Sequence, residues 1–328
     1  MINNLQKLNP KLFDLAVEQA PVRKGYGEGL LEAGKLDERI VALCADLTES
    51  TQTHLFAKEF PARFVEIGVA EQNLAAVASG MAAMGKIPFI TSYAMFSPGR
   101  NWEQIRTTIA YNNQPVKIVG SHAGVSVGPD GGTHQAIEDI AIMRVIPNMD
   151  VVVPCDAIEA KKATLAIAKT TKPTYLRLAR EKTPIMTTEA TPFVLGKANM
   201  LWRGDNPQVA IIACGPMVFN ALAAAKKLAE QKISVTVTNV HTIKPLDEET
   251  ILRVATEAGK VVTVEEHQIA GGLGSAVAEL LSTKKPMTVI RLGVHDQFGQ
   301  SGTQPELIDH YGMSTDDIVE AVKKIVKK

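Results

Sequence analysis

The side chains best suited to chemistry sit in one stretch, GSHAGVSVGPDGGTHQ (120–135), where His122, Asp130 and His134 lie among five glycines and one proline. An apolar run, PVKIV, precedes it directly. Glycines let a backbone approach a ligand closely, and loops after strands are where function concentrates. Three chemistries fit these residue types. Two histidines and a carboxylate could ligate a metal, although tight sites hold their ligands at shorter spacing on rigid elements. The loop could be purely structural. It could also carry proton transfer or hydroxyl recognition, for which an imidazole that titrates near neutrality is suited.

Glu71 opens the run EQNLAAVASGMAAMG, whose remaining residues are mostly small or apolar. A carboxylate in the first turn of a helix is favoured by the helix dipole, which is the plain reading. The sharper one is a carboxyl set in an apolar pocket, able to share a proton with a ring nitrogen of a ligand. Tyr93 and Phe96 in SYAMFSPGR (92–100) read either as core aromatics or, in a chain only 5% aromatic, as a stacking platform. A fourth cluster, ADLTES (45–50), contains Asp46 and Ser50.

All four clusters follow short apolar runs. RIVALCADL (39–47), RFVEIG (63–68), IPFITSY (87–93), PVKIVGSHAG (115–124), MDVVVPC (149–155) and PTYLRLAR (173–180) read as strands. Helices are expected over 70–85, around 101–113, from Gln135 to Ile146 and over 157–170. Such alternation specifies a parallel sheet covered on both faces, with ligands at the carboxyl ends of the strands. The pattern breaks between Arg180 and Met200 and restarts with QVAIIACG (208–215), a helix over 218–231, ISVTVTNV (233–240), KVVTVEEH (260–267), a helix from Gly274, MTVIRLGV (287–294) and an amphipathic helix over 314–327. The expected architecture is α/β, with domains at 1–185 and 199–328 and a linker at 186–198, each domain a mostly parallel sheet with helices on both faces.

Composition narrows the function classes. The 328 residues carry 35 basic and 35 acidic side chains, so no summed positive potential exists for nucleic acid or a polybasic membrane contact. Cys44, Cys155 and Cys214 lie far apart without CxxC spacing, which excludes a disulfide framework and a structural zinc site and fits a reducing compartment. The N-terminus lacks the basic start and apolar run of a secretory signal, and no stretch of about 18 apolar residues occurs. A cytoplasmic chain of about two domains is expected.

GVAEQNLAAVASG, SYAMF, GPDGGTHQAIEDIAIMRVIPNM and VVPCDAIEA together resemble the pyrimidine-binding domain of transketolases, thiamine-diphosphate enzymes, from about Arg23 to Arg180. VEEHQIAGGLGSAVAE resembles that family's C-terminal domain less specifically. The family's diphosphate-binding domain, with its GDG motif, has no counterpart: GDG does not occur, and the chain ahead of Arg23 is too short for it. The resemblance is therefore to the C-terminal subunit of a split transketolase. It implies thiamine diphosphate as cofactor, Mg²⁺ held by a partner, and an N-terminal partner subunit with the diphosphate-binding domain. It further implies self-association into an α2β2 heterotetramer, sugar phosphate substrates and a place in pentose phosphate metabolism.

By the same resemblance Glu71 matches the glutamate that hydrogen-bonds the aminopyrimidine N1′, favouring the imino form that deprotonates the thiazolium. Tyr93 and Phe96 match the aromatics that pack on the pyrimidine, and Asp46 a cofactor-contacting aspartate. His122 and His134 match histidines that contact substrate oxygens, and Asp130 an aspartate that reads a sugar hydroxyl. Arg23, Ser50 and Arg180 match the phosphate clamp, with Arg177 competing for the last place. Gly99 stands where the family often has a third aromatic. The reaction implied is transfer of a two-carbon ketol unit from a ketose phosphate to an aldose phosphate, with the cofactor carrying the carbon chemistry. The alternatives are a deoxyxylulose-phosphate-synthase-like enzyme, which His122 argues against, and a 2-oxo-acid dehydrogenase beta-type chain, which GPDGGTHQ matches less well. A non-catalytic regulatory subunit is opposed by Glu71. GGLG (271–274) lacks the spacing of a nucleotide loop and reads as a strand-to-helix turn, while His267 before it has no assigned role.

Overall fold

Five-residue apolar runs such as IVALC and VAIIA can be buried on both faces only in a sheet layered between helices, and both are fully buried here. The computed structural model describes residues 1–327. Its first part runs β1 Gln19–Pro21, α1 Val22–Leu36, β2 Ile40–Cys44, α2 His54–Glu59, β3 Phe64–Glu66, α3 Glu71–Ala83, β4 Ile87–Tyr93, α4 Trp102–Gln104, β5 Lys117–Ser121, α5 Asp139–Arg144, β6 Asp150–Val152, α6 Ala157–Ala168, β7 Thr174–Arg177 and β8 Lys182–Pro184. The second continues β9 Asn199–Arg203, β10 Val209–Ala213, α7 Met217–Glu230, β11 Val235–Asn239, β12 Thr242–Lys244, α8 Glu248–Ala258, β13 Val261–Gln268, α9 Leu273–Lys284, β14 Val289–Val294, α10 Gln304–His310 and α11 Thr315–Val326.

The first sheet has the order β12-β6-β7-β5-β4-β2-β3 and the second β14-β13-β10-β11-β9. Both are parallel except at one edge, where β12 and β9 run antiparallel. The two-domain α/β architecture of mostly parallel sheets is thus the expected one. β12 comes from the C-terminal half but completes the edge of the first sheet beside β6. No helix among the described residues is long and apolar enough to cross a membrane.

Several elements depart from the sequence pattern for physical reasons. The helix expected from Gln135 begins only at Asp139, because the Ala136 backbone pairs with the preceding loop, its carbonyl accepting the Gly124 N–H at 2.8 Å. Helix α1 escapes a propensity reading because it holds four glycines. Those glycines let it lie directly on its neighbours: a Cβ on Gly25 would overlap the Ala157 carbonyl at the start of α6. β8 turns back to pair antiparallel with β1. Residues 185–198 form no helix or strand, yet the Asp156 carboxylate accepts the Met186 and Thr187 N–H groups at 2.8 and 2.6 Å. Residues 105–110 form a π-helical turn.

Candidate active site

The carboxyl ends of the parallel strands β2, β3, β4, β5 and β7 converge on one edge, and each delivers a marked residue. Asp46 follows β2, Glu71 follows β3, Tyr93 ends β4, His122 follows β5 and Arg180 follows β7. Arg23 arrives from the first turn of α1.

Glu71 is the first residue of α3, and the buried positions of that helix are Glu71, Leu74, Ala75, Ala78 and Ala82. The carboxylate therefore begins the apolar stripe instead of facing water, and it is 1% exposed. Its Oε2 accepts a hydrogen bond of 2.6 Å from Arg100 Nη1. Asn101 fixes the loop after β4 against this helix, donating from Nδ2 to Glu71 O at 2.9 Å and to Ser97 Oγ at 3.2 Å. The Arg100 guanidinium carbon lies 5.1 Å from the Phe96 ring centroid. A Cβ at Gly99 would overlap the Met95 carbonyl, so the tight turn that sets Arg100 beside Glu71 excludes a third aromatic there.

An aromatic layer continues from Phe96. Tyr93 and Phe96 are near-parallel with centroids 6.3 Å apart, and Tyr93 stacks on the His122 ring at 3.9 Å. His134 meets Phe96 edge-on at 5.4 Å. His122 adopts a φ of 56°, and its Nδ1 lies 2.9 Å from Ser121 Oγ. Burial, reinforced by Arg23, Arg180 and His134, lowers its pKa to about 3. A neutral imidazole that exchanges hydrogen bonds follows at physiological pH.

Arg23 donates to the Arg180 carbonyl, and Arg180 donates to Val127 O. Arg180 Nη1 also lies 3.8 Å from Asp130 Oδ1. The same nitrogen is 3.4 Å from Glu181 Oε1. Burial, reinforced by the Arg180 charge, lowers the Arg23 pKa. Arg177 is not available as an alternative. It is buried, with Nε bonded to Asp139 Oδ2 at 2.7 Å and Nη2 to Glu266 O at 2.8 Å.

The structure therefore joins Tyr93, Phe96, His122 and His134 in one layer, ties Glu71 to it through Arg100, and sets Arg23, Arg180 and Asp130 beside it. Asp46 and Ser50 are less engaged. The Asp46 backbone N–H donates to Glu66 Oε1 at 2.7 Å, but among the described residues neither the Asp46 carboxylate nor the Ser50 hydroxyl makes a hydrogen bond. His267 is buried with Nδ1 on Gln268 O at 2.7 Å and Nε2 accepting from Ala141 N, both ring nitrogens thereby committed within the chain. At GGLG the Glu265 carboxylate accepts the Leu273 and Gly274 N–H groups at 2.6 and 2.7 Å, so the start of α9 already holds an internal anion. Arg100 and Asn101 were not singled out by sequence. Their only signal is a basic residue inside the strand-end cluster SPGRN.

A buried carboxylate whose bound guanidinium lies over an aromatic face suits a flat, nitrogen-containing ring with an N–H donor, as in an aminopyrimidine. Among the described residues no group of three or more His, Cys, Asp and Glu side chains is arranged for a metal ion.

Residues 18–186 match the transketolase pyrimidine-binding domain, and residues 196–318 match the transketolase C-terminal domain. The chain belongs to the transketolase family. It is 46% identical to a putative transketolase C-terminal section of Methanocaldococcus jannaschii, across 94% of this chain and 96% of that one. It is 42% identical to a 6-deoxy-6-sulfo-D-fructose transketolase subunit of a Clostridium species, across 96% and 98% of the two chains. It is 38% identical to an apulose-4-phosphate transketolase subunit of Phocaeicola vulgatus, across 93% and 97%. A solved split-gene transketolase, described as an inactive beta4 tetramer, superimposes with a TM-score of 0.87 at 43% identity, covering 94% of this chain and 98% of its own. The chain is thus of the C-terminal-subunit type within transketolases, a ketol-transferring enzyme subunit.

Proposed function

We propose that this chain is the pyrimidine-binding half of a two-chain transketolase that moves a two-carbon ketol unit between sugar phosphates or their anionic analogues. The observation that carries the reading is Glu71: a carboxylate on the buried stripe of α3, linked through Arg100 to Phe96, at the convergent ends of the parallel strands. Thiamine diphosphate, when bound, supplies the carbanion chemistry that cleaves and forms the carbon–carbon bond. This chain's residues bind and orient. Glu71 holds a proton shared with the ring nitrogen of the aminopyrimidine, and Tyr93 and Phe96 offer the stacking surface. Asp46 lines the cofactor's approach after β2.

His122, His134 and Asp130 read substrate oxygens, the neutral His122 ring exchanging hydrogen bonds without adding charge. Arg23 and Arg180, with Ser50 at the rim, clamp the terminal anion of the sugar. Guanidinium donors suit a phosphate or a sulfonate alike, which accords with the sulfo-sugar and apulose-phosphate substrates named for the Clostridium and Phocaeicola relatives. The diphosphate and Mg²⁺ site belongs, in this reading, to an N-terminal partner subunit, and the working assembly is an α2β2 heterotetramer in the cytoplasm. Three free, buried cysteines accord with that compartment.

Calorimetric titration of thiamine diphosphate with Mg²⁺ tests the reading. The isolated chain is expected to bind weakly or not at all. Adding the partner is expected to give tight, metal-dependent binding together with ketol transfer between sugar phosphates. Tight metal-dependent binding by this chain alone would sink the two-chain reading.

A further inference from the structure

The loop that carries His122, Asp130 and His134 does not stand on its own domain alone. Glu266, near the end of β13 in the second sheet, extends its side chain beneath the loop, where Oε1 accepts the Ser126 N–H. Gly124, at φ 90°, has no side chain because Glu266 fills that space: a Cβ there would lie 2.9 Å from Glu266 Cγ. A second support comes from residues 299–302, the segment before α10. The space beside Gly132 is taken by Gly299 O, that beside Gly131 by Ser301 Oγ and that beside Gly128 by Gly302 O, with a notional Cβ at 2.6, 2.8 and 3.2 Å respectively. Gln135 closes the arrangement by donating to Val125 O at 2.9 Å and to Gln300 O at 3.0 Å. The glycines of GPDGG therefore mark where the C-terminal domain presses against the loop.

Stability alone is a poor account of Glu266. The side chain is 2% exposed, Oε2 has no hydrogen-bond partner among the described residues, and burial raises its pKa. A buried carboxylate with one unpaired oxygen is a net cost that an apolar residue of similar size would avoid. What it supplies is a directed acceptor at a backbone N–H within the loop.

We propose that Glu266 and the segment 299–302 are positioning elements, by which the C-terminal domain holds His122, Asp130 and His134 in register with Glu71 and the arginine pair. The kinetic part of this inference rests on reading the site as one for ketol transfer; the structural part does not.

Hydrogen exchange followed by mass spectrometry on the full chain tests the structural part. In Glu266→Ala, amides in 122–135 are expected to exchange at least tenfold faster. Peptides covering 64–75 and 93–101 should keep their rates, and the thermal midpoint should move by a few degrees at most. Glu266→Gln, which retains an acceptor for Ser126, is expected to restore protection. In the assembled complex the alanine variant should raise the sugar KM about tenfold, with cofactor affinity unchanged, and the glutamine variant should recover it. Should Glu266→Ala not fold, Gly299→Ala tests the same support, because its Cβ would displace Gln135. Unchanged exchange in 122–135, or acceleration spread evenly over the chain, overturns the proposal. Failure of the wild-type complex to transfer a ketol unit would instead strike the functional reading, leaving the exchange result to decide the loop support.

Discussion

Arg100 and Glu71 form a hydrogen-bonded ion pair of 2.6 Å in which the carboxylate is 1% exposed and the guanidinium side chain 49% exposed. With its carbon 5.1 Å from the Phe96 centroid, the guanidinium makes the two contacts an aminopyrimidine would need: a flat face near Phe96 and an N–H aimed at Glu71. In the proposed reading the cofactor competes with Arg100 for this carboxylate. Because the arginine is half exposed, its hold is worth only about 1 kcal/mol. Arg100→Ala is expected to tighten thiamine diphosphate binding by the assembled complex about fivefold, as read by calorimetric titration. Weaker binding would show that Arg100 keeps Glu71 in its working position.

Glu71→Gln separates chemistry from architecture. Glutamine fills the same volume on the stripe of α3 but cannot hold the shared proton. The kcat of the assembled enzyme is expected to fall roughly 10²- to 10⁴-fold, the usual contribution of a positioned proton-transfer group. Urea unfolding midpoints should change little, since the lost partner is the half-exposed Arg100. Unaltered turnover would point to a regulatory chain.

The two arginines around β7 should respond differently to truncation. Arg180, partly exposed and close to Arg23 and Asp130, is expected on replacement by alanine to raise the sugar KM tenfold or more while leaving stability nearly unchanged. Arg177 is locked to Asp139 at 2.7 Å with both side chains at 3% exposure or less. Its replacement by alanine leaves the buried Asp139 carboxylate without a counter-charge, held only by the Tyr175 hydroxyl at 2.7 Å, and should cost about 3–5 kcal/mol in stability. Thermal melts and steady-state kinetics on both variants check the contrast. A destabilised Arg180→Ala would undo the assignment of that side chain to substrate.

The residues that terminate strands were legible from sequence because periodicity places them: apolar runs locate the strands, and the parallel sheet places their carboxyl ends together. Glu71, Tyr93 and His122 are found this way. What periodicity cannot convey is how a loop folds back. The pairing of Arg100 with Glu71 depends on the tight turn at Gly99, and the burial of Arg177 on Asp139, 38 residues away. Helix α1, which delivers Arg23, was hidden by glycines that serve packing instead of propensity. β9, α8 and α10 were missed although Asp247 caps α8 and Thr303 with Glu306 forms a capping box on α10; these caps are signals of one or two residues beside the stronger apolar runs. The antiparallel β12 is three residues long and depends on a partner, β6, about 90 residues away.

A last prediction concerns the seam between the two sheets, where Glu159 of α6 accepts the Cys155 N–H at 2.7 Å and the Asn239 Nδ2–H at 2.8 Å. Burial, helped by the neighbouring Asp156 charge, raises its pKa to about 7. An unfolded glutamate titrates near 4.3, so the folded chain binds this proton more tightly. The contribution of Glu159 is complete below about pH 4.3 and is lost as pH rises through about 7, by an amount on the order of 3 kcal/mol. His122 acts in the opposite sense: its pKa of about 3 means that stability falls as pH drops below the ordinary histidine range. A wild-type profile alone would mix the two. The difference between wild type and Glu159→Gln in urea midpoints from pH 5 to pH 8 isolates the carboxyl, and the variant should gain on the wild type up to about pH 7 and level off above it. Parallel profiles would mean that Glu159 is already ionised in the fold, with Asn239 and the Cys155 N–H sufficient to hold it so.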